Sequence, residues 1–219
     1  MFSTLDDEQL QRLADAAVVR AVPAGRVIFS QGDPGATCHN LLEGRVKIVQ
    51  TNADGVQAVL RFIAPGEAFG TVAALMGKPF PADAVAVVDS VEAVWTVQAM
   101  RELIRRAPEL GLRAGATAGS RLFELQQRMQ ELTGERVDQR IAHALLRLIE
   151  DGRASAQGIE VDFPITRQEL AELTGTTLLT VSRTLSAWNQ AGLTASRRRR
   201  IVVCDVHRLR AIAEGATSG

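Results

Sequence analysis

The chain of 219 residues changes its hydrophobic period abruptly near Pro108. Before that point, over residues 22–97, short apolar or alternating runs are separated by turns that carry Gly, Pro or Asp. Closely spaced strands with such turns predict an antiparallel sandwich or barrel. After Pro108 the apolar residues recur every three or four positions, as on one face of a helix. An α+β chain is therefore predicted, with an N-terminal β domain and a helical C-terminal part.

Three further helices are predicted from other parts of the sequence. Residues 3–19 predict a short helix whose acidic residues lie near its positive N-terminal end. Residues 136–150 predict another, followed by a short strand in "IEVDFPI". Thr166, with Glu169 three residues later, has the pattern of a capping box and predicts the start of a further helix.

The segment after Pro108 carries a narrow apolar stripe. Its residues are Leu112, Gly119, Leu122, Leu125, Met129 and Leu132. A long helix with such a stripe must bury it against something. A coiled-coil seam with a second copy is predicted, in which the dimerisation residues are Leu122, Leu125, Met129 and Leu132. Packing of this helix on its own β domain is the alternative.

Charge is distributed unevenly along the chain. Lys and Arg number 25, as do Asp and Glu, so the formal net charge is zero. Residues 161–219 nevertheless hold eight arginines against five acidic residues, a net charge of +3. This pattern indicates an acidic body with a basic end. Two cysteines, no long apolar run and no signal-peptide pattern predict a cytoplasmic protein without a membrane span.

The segment "RQELAELTGTTLLTVSRTL", residues 167–185, has the pattern of a helix-turn-helix. In such a unit the second helix enters the major groove of DNA. Small hydroxylated side chains let the backbone approach the duplex, and Arg183 matches the paired acceptors of guanine. An exposed polar helix with an incidental arginine is the alternative. The DNA-binding candidates here are Thr166, Arg167, Thr176, Thr177, Leu179, Thr180, Ser182 and Arg183.

The next segment, "GLTASRRRRIVVCD", predicts a two-stranded wing whose turn carries Arg197, Arg198, Arg199 and Arg200. Four adjacent cations repel one another unless an anion lies nearby. Contact with DNA phosphates is the functional interpretation, because the run follows directly on the second helix. A solvated turn is the alternative.

These segments together resemble the cyclic-AMP receptor and fumarate-nitrate reduction (CRP/FNR) family of regulators over nearly the whole chain. The resemblance rests on "IFSQGDPG", "LLEGRVKI", "APGEAFG", the long helix and the helix-turn-helix. It implies a β-roll sensor like a cyclic nucleotide-binding domain over 1–107, a dimerisation helix over 108–136 and a winged helix-turn-helix over 137–219. It also implies three partners: palindromic double-stranded DNA, a second copy and RNA polymerase.

Two stretches, "LTGTTLLTVSRTLSAWNQAGL" and "PFPADAVAV", are similar to the nitrite and nitric oxide regulators within that family. Ser182 and Arg183 match family positions that imply a half-site resembling TTG. Leu179 stands where oxygen-sensing members carry a base-reading Glu, so the base facing it stays open. Oxygen sensing through an iron–sulfur cluster is excluded, because that needs four cysteines.

The resemblance also predicts an effector pocket, with a departure from the cyclic-AMP pattern. Cyclic-nucleotide binders of the family place Glu and an Arg–Ser pair where this chain has Thr71 and Pro81–Ala82. A buried phosphate without a cation is strongly disfavoured, so no response to cyclic AMP is predicted. The candidate pocket residues are Phe69, Gly70, Thr71, Pro81, Ala82 and Leu125.

Cys38 and His39 form the only adjacent pair of soft ligands in the sequence. A haem or metal ligand is one interpretation, favoured by the similarity to nitric oxide regulators. In the other, Cys38 is a small core residue and His39 faces solvent or a neighbouring loop. The cofactor therefore stays unknown, with haem as a candidate.

A DNA-binding transcription regulator that responds to nitric oxide or another redox signal is the function these features predict. A regulator that needs no ligand, or one controlled by thiol oxidation, is the alternative. An enzyme is not predicted, because the sequence has no nucleophile–base pair, P-loop or metal-spaced cluster.

Overall fold

The computed structural model of the chain describes residues 6–215. The chain forms two compact units, Met1–Leu125 and Gln126–Gly219. Each unit has its own buried apolar side chains, such as Leu41 in the first and Leu185 in the second.

The N-terminal unit contains eight of the strands in the described range. They are β1 Val18–Val22, β2 Val27–Phe29, β3 Thr37–Glu43, β4 Val46–Thr51, β5 Gln57–Ile63, β6 Ala68–Phe69, β7 Asp83–Ala86 and β8 Ser90–Thr96. They form two four-stranded antiparallel sheets, with the orders β1-β8-β3-β6 and β2-β7-β4-β5. The predicted antiparallel β domain is confirmed.

Two apolar clusters hold this unit together. The first joins residues from both sheets: Phe29, Leu41, Val46, Ile63, Phe69, Phe80 and Ala84. The second covers one sheet with helices, through Leu13, Cys38, Trp95, Met100 and Leu110 among others. The Trp95 indole N–H donates to the Leu13 carbonyl at 2.8 Å, so the polar atom of this buried ring is satisfied.

The helix predicted over residues 3–19 is shorter than expected. Helix α1 spans Asp7–Asp15, after an N-cap at Asp6 whose carboxylate accepts from the Gln9 N–H at 2.8 Å. Residues 1–5 lie outside the described range. Val18 and Val19 are in β1, paired with β8, because β-branched side chains fit a strand better than a helix.

Two helices before Pro108 were not expected from the pattern. Helix α2, Thr71–Leu75, is a single turn and too short to show a period. Helix α3, Val97–Arg106, follows β8 directly, and the Thr96 hydroxyl caps it by accepting from the Ala99 N–H at 3.1 Å. The apolar–polar alternation of β8 runs directly into α3, with no turn residue between the two. The sequence pattern therefore does not reveal where the helix starts.

Helix α4 is continuous over Pro108–Gly134. Pro108 is its first residue, where a missing N–H breaks no intrahelical bond. The change of period at Pro108 therefore marks a helix start, as predicted. Within residues 6–215, no helix has the length and apolar character needed to cross a bilayer.

The C-terminal unit is a helical domain with a small sheet. Its helices are α5 Val137–Leu148, α6 Arg167–Thr174, α7 Leu178–Gln190 and α8 Val206–Ala213. Its strands are β9 Arg153–Ser155, β10 Gly158–Glu160, β11 Thr194–Arg197 and β12 Arg200–Val203, in the sheet order β11-β12-β10-β9. The helix-turn-helix and its two-stranded wing are confirmed as structural elements.

The strand predicted from "IEVDFPI" is regular only over its first residues, in β10. Beyond them the Val161 and Ile165 N–H groups still donate to the Ile201 and Arg199 carbonyls, at 3.0 and 2.8 Å. Pro164 has no N–H to donate. Residues 161–165 therefore run beside the wing with isolated hydrogen bonds and do not extend the regular strand β10.

The predicted capping box at the start of α6 is confirmed. The Thr166 hydroxyl accepts from the Glu169 N–H at 3.0 Å, and the Glu169 carboxylate accepts from the Thr166 N–H at 2.8 Å. The Thr166 hydroxyl also donates to that carboxylate at 2.8 Å. Glu169 is buried, and the two bonds to its carboxylate satisfy Oε2.

We predict that Thr166→Ala lowers the free energy of unfolding of the C-terminal unit by about 1 kcal/mol, because the first N–H groups of α6 lose their acceptor. Urea denaturation followed by circular dichroism measures this change. Ser186→Ala, on the exposed side of α7, is the matched control and should change stability by less than about 0.5 kcal/mol. Equal stability of Thr166→Ala and the unaltered protein would show that the cap contributes nothing.

Candidate DNA-binding interface and effector cavity

Gly175 forms the turn between α6 and α7. Its φ of 60° lies in the left-handed region that favours glycine. A Cβ at Gly175 would also lie 2.8 Å from Cδ2 of Leu132. The Thr176 N–H closes the turn by donating to the Ala171 carbonyl at 3.0 Å. The turn therefore favours glycine for its conformation, since the Leu132 Cδ2 is the end of a flexible side chain that can move aside.

Helix α7 has a buried side and an exposed side. Val181, Leu185 and Trp188 are buried and hold the helix against its unit. Arg183 lies between them in sequence but points to solvent. Within the described residues, its guanidinium makes no hydrogen bond or ion pair, so all five of its donors are free to bind a ligand.

The threonines at the start of α7 are partly occupied by the helix itself. The Thr177 hydroxyl caps α7 by accepting from the Thr180 N–H at 3.2 Å, and the two hydroxyls lie 2.9 Å apart. Thr176 and Ser182 are half-buried. The threonines therefore stabilise the first turn of α7 as well as offering donors to a ligand. Composition alone does not predict this capping role.

Two leucines follow the cap and face outward. Leu178 is 47% exposed and Leu179 is 60% exposed. Neither side chain can hydrogen-bond to a base edge, so any contact they make with a base is apolar. The exposed position of Leu179 is compatible with its predicted place in the interface.

The wing turn holds two arginines in an unusual conformation. Strands β11 and β12 pair Arg197 with Arg200, and Arg198 and Arg199 between them have φ values of 32° and 69°. A two-residue hairpin turn with positive φ at both positions normally takes Asn or Gly. Side chains in this region cost about 1 kcal/mol or more, and such strain is concentrated at functional sites.

The other basic candidates have partners inside the unit. Arg200 forms an ion pair with Glu160 at 3.1 Å, although its side chain is largely exposed. Arg167 donates to the Ser196 hydroxyl at 3.4 Å, which joins α6 to the wing. Arg197, Arg198 and Arg199 are exposed, so the most accessible charge of the run lies at the tip of the wing.

The four candidate dimerisation residues are all exposed on α4. Their exposed fractions are 59% for Leu122, 51% for Leu125, 67% for Met129 and 53% for Leu132. Leu122 and Leu125 also line a cavity of the N-terminal unit, so part of the stripe contacts its own β domain and the seam with a second copy stays a prediction. Leu132 also lies against its own chain, because its Cδ2 lies beside Gly175. Phe123, 70% exposed, lies outside the stripe and was not anticipated.

The six candidate effector residues line one cavity of about 440 Å³ in the N-terminal unit. Its size is typical of small-molecule sites. The lining is mostly apolar, with Phe29, Phe69 and Phe80 as its aromatic part. The rings of Phe29 and Phe80 stack with centroids 3.8 Å apart. Thr71 is almost fully buried, and Ala114, Thr117, Ala118, Leu122 and Leu125 of α4 complete one wall.

Pro81 and Ala82 contribute no charge to this cavity, but the cavity is not without cations. Arg61 of β5 and Arg121 of α4 both line it. Glu67 connects them, since its carboxylate accepts from Arg61 at 2.8 Å and also from Arg121. The expectation that a phosphate in this cavity would find no cation is therefore wrong, because Arg61 and Arg121 come from positions outside the family motif.

Burial determines how these groups ionise. Burial lowers the pKa of Arg61, and the nearby Glu67 offsets that effect only in part. Burial on its own would raise the pKa of Glu67, but Arg61, the Ala64 N–H and Arg121 together lower it. All three side chains are therefore charged at neutral pH, with two cations sharing one carboxylate.

The expectation that His39 faces solvent or a loop is wrong. His39 is 2% exposed, and its ring lies 5.1 and 5.2 Å from the rings of Phe69 and Phe29. Its Nδ1 is 2.9 Å from the Glu92 carboxylate, and its Nε2 is 2.8 Å from the Thr37 hydroxyl. Both ring nitrogens are engaged, so neither is available to a haem iron or another metal.

Cys38 is a core residue, as the second interpretation of the pair predicted. Its side chain is fully buried, and burial raises the pKa of its thiol to about 11. Metals and electrophiles react with the thiolate, which is scarce at such a pKa. Among residues 6–215, no group of three or more His, Cys, Asp or Glu side chains is placed to hold a metal.

We predict that iodoacetamide at pH 8 modifies Cys204 and leaves Cys38 intact in the folded protein, because only about one Cys38 thiol in a thousand is ionised at that pH. Cys204 is partly exposed. Mass spectrometry of the digested protein identifies the modified residue, and Cys204→Ser should abolish labelling unless urea is added. Equal labelling of both cysteines would contradict the burial of Cys38.

Both units match known domain families. Residues 19–107 match the cyclic nucleotide-binding domain, and residues 139–212 match the Crp-like helix-turn-helix domain. A solved CRP-family transcriptional regulator from Thermus thermophilus is 27% identical, with a TM-score of 0.75 over 89% of this chain and 96% of that chain. The α+β architecture therefore agrees with that of a known regulator.

Curated relatives extend this match over most of the chain. The Cyclic AMP receptor protein of Thermus thermophilus is 33% identical over 193 residues, 88% of this chain and 87% of that protein. The Nitrogen fixation regulation protein FixK of Rhizobium meliloti is 30% identical over 185 residues, 84% of this chain and 82% of that protein. The chain therefore belongs to the CRP/FNR family of DNA-binding transcription regulators.

Proposed function

We propose that this regulator acts as a homodimer that reads a palindromic operator through α7. Arg183 is the observation that carries the proposal. It is exposed on α7, and no partner within the described residues holds its guanidinium. Such a group matches the O6 and N7 acceptors of guanine, so Arg183 reads the guanine of a half-site resembling TTG. Ser182 and Thr180 lie close to neighbouring bases or phosphates.

The three parts of the chain have distinct roles in this proposal. Residues 1–107 sense the signal, residues 108–136 form the dimer and residues 137–219 bind DNA. RNA polymerase is a further partner, and the protein works in the cytoplasm. Since the relatives are transcription regulators, catalysis is not part of the proposal.

The wing contributes affinity rather than sequence recognition. Arg198 and Arg199 project from the tip of the hairpin, and phosphates are equivalent at every base pair. Each phosphate contact releases counterions, which makes this part of the binding strongly dependent on salt. Arg200 stays with Glu160 and contributes less than its neighbours.

The signal is proposed to act through the cavity of the N-terminal unit, and not through cyclic AMP. Thr71, Pro81 and Ala82 support this, because they replace the Glu and the Arg–Ser pair that the family uses for ribose and phosphate. Arg61 and Arg121 stand at other positions and already pair with Glu67, and the rest of the lining is mostly apolar. The similarity to nitrite and nitric oxide regulators implies a redox signal carried by haem. The residues do not fit that group: both nitrogens of His39 are occupied, and the side chains lining the cavity include no His, Cys or Met. An organic ligand is therefore the form of signal that we propose.

Control by thiol oxidation or by abundance alone is the alternative. The high pKa of Cys38 speaks against a reactive thiol in the sensor. A preformed apolar cavity with charged groups in its wall favours a ligand over control by abundance.

We predict that the double variant Leu125→Glu/Met129→Glu is monomeric, because charges in the stripe would be buried in the dimer seam. Light scattering on the full chain measures the mass. Gln127→Glu is the control, since Gln127 is exposed on α4 and is not three or four residues from any member of the stripe. A double variant that remains dimeric would place the interface elsewhere.

We predict that Arg183→Ala costs on the order of 1–3 kcal/mol per half-site and relaxes the choice at the guanine. Replacing Arg198 and Arg199 with Ala should instead weaken all sequences alike and flatten the salt dependence. The two effects are separated by competition between matched and mismatched operators, measured at two salt concentrations. The half-site centres of these operators should lie about 34–36 Å apart.

Arg210→Ala is the control for loss of charge alone, since Arg210 is exposed on α8, away from the recognition helix in sequence. It should leave both discrimination and salt dependence near those of the unaltered protein. If Arg183→Ala kept full discrimination at the guanine, α7 would not be the reader.

A further inference from the structure

The cavity of the N-terminal unit joins an apolar lining to a cationic wall. Phe29, Phe69 and Phe80 supply aromatic surface, and Ile48 and Ile63 supply aliphatic surface. Thr71 and Thr117 are the hydroxylated side chains of the lining, and Arg61 and Arg121 are its charged ones. A ligand that fills this space must therefore be largely apolar, with its polar group directed to the arginines.

The arginines have donors to spare. Arg61 gives one bond to Glu67, and no other hydrogen bond of its guanidinium lies within the described residues. Arg121 bonds to Glu67 and to Glu124, but its buried Nε has no partner. Buried donors without acceptors are costly, and an incoming acceptor would remove that cost.

The charge balance of the wall favours an anion. Arg61, Arg121 and Glu67 together carry one more positive than negative charge. Glu124 balances that excess, but its side chain is half-exposed on the solvent side of α4, where water and salt screen it. Burial lowers the pKa of Arg61, which Glu67 offsets only in part. Burial alone would also lower the pKa of Arg121, but Glu124 and Glu67 together raise it.

We infer that the cavity binds an apolar monocarboxylic acid, whose carboxylate pairs with Arg61 and Arg121 and whose hydrocarbon or aromatic body packs among the phenylalanines. Carboxylates match the planar fork of a guanidinium in bidentate pairs. A single negative charge matches the excess that Arg61, Arg121 and Glu67 carry among themselves, before the half-exposed Glu124 is counted. This inference rests on the proposed sensing role of the cavity.

The ligand reaches the helix that carries the dimer stripe. Arg121, Leu122 and Leu125 line the cavity, and the last two also belong to the stripe. A carboxylate on Arg121 would compete with Glu67, and so would change the connection between β5 and α4. Such a competition gives the ligand a means to bias α4.

The test is direct titration of the full chain, without DNA, by calorimetry. The probes are octanoate and phenylbutyrate, and the affinity for each acid is compared with that for its neutral amide. Cyclic AMP is titrated in a separate experiment. We expect saturable binding of at least one acid and at least about tenfold weaker binding of its amide, since only the acid forms charge-assisted bonds. Cyclic AMP should neither bind nor displace the acid.

Variants locate the site. Arg121→Gln and Arg61→Gln should each weaken the acid by about tenfold or more, whereas Glu67→Gln should tighten it, because the competing carboxylate is gone. Arg105→Gln is the control, an exposed arginine of α3 that pairs with Glu102 outside the cavity. A merely structural role for Glu67 would not produce tighter binding.

The acid–amide comparison uses the unaltered protein and holds even if a variant fails to fold. Equal affinity for acid and amide overturns the inference, as does saturable binding of cyclic AMP in place of the acid. Absence of acid binding at millimolar concentration in both the unaltered protein and Glu67→Gln also overturns it. Operator binding through Arg183 does not enter these measurements, so failure here leaves the DNA-binding proposal intact.

Discussion

The sharing of Glu67 between Arg61 and Arg121 is the contact on which the N-terminal unit depends for its functional form. It joins β5 to α4 and fixes the helix as one wall of the cavity. Removing either arginine would leave Glu67 less well compensated. Removing Glu67 would leave Arg61 and Arg121, both half-buried, without the carboxylate that they share. Like charges on half-buried side chains repel each other where solvent screens them only in part, so the three residues form one unit. The apolar lining of the cavity also strengthens the ion pairs of Glu67, because it lowers the local dielectric constant around them.

Patterns local in the chain were enough to predict most of the architecture. The capping box of Thr166, the turn at Gly175 and the helix start at Pro108 each depend on residues within a few positions of one another. Strand pairings such as β1–β8, β2–β7 and β4–β7 join segments far apart in the chain. The β4–β5 hairpin, by contrast, follows from alternation and turn residues in the same way as the caps and turns. The interactions that produce these local features join residues only a few positions apart, so the sequence pattern predicts them directly.

The contents of the cavity could not be predicted in that way. Glu67 and Arg121 are 54 positions apart, and no local period relates an arginine on a strand to one on a helix. The family motif places its cation where this chain has Pro81 and Ala82, whereas the cations of this cavity lie on β5 and α4. His39 was misplaced for a similar reason, since its partners Thr37 and Glu92 include a residue 53 positions away. Only the pairing of β3 with β8 brings that carboxylate to the histidine.

The wing turn implies a conflict between folding and recognition at two positions. Glycine at Arg198 or Arg199 would relieve the positive φ and make the hairpin more stable, but it would remove a charge from the tip. The sequence that is best for thermal stability thus differs from the one that is best for holding DNA. A selection for thermostable variants of this protein should therefore accumulate Gly or Asn at this turn, at the expense of operator affinity.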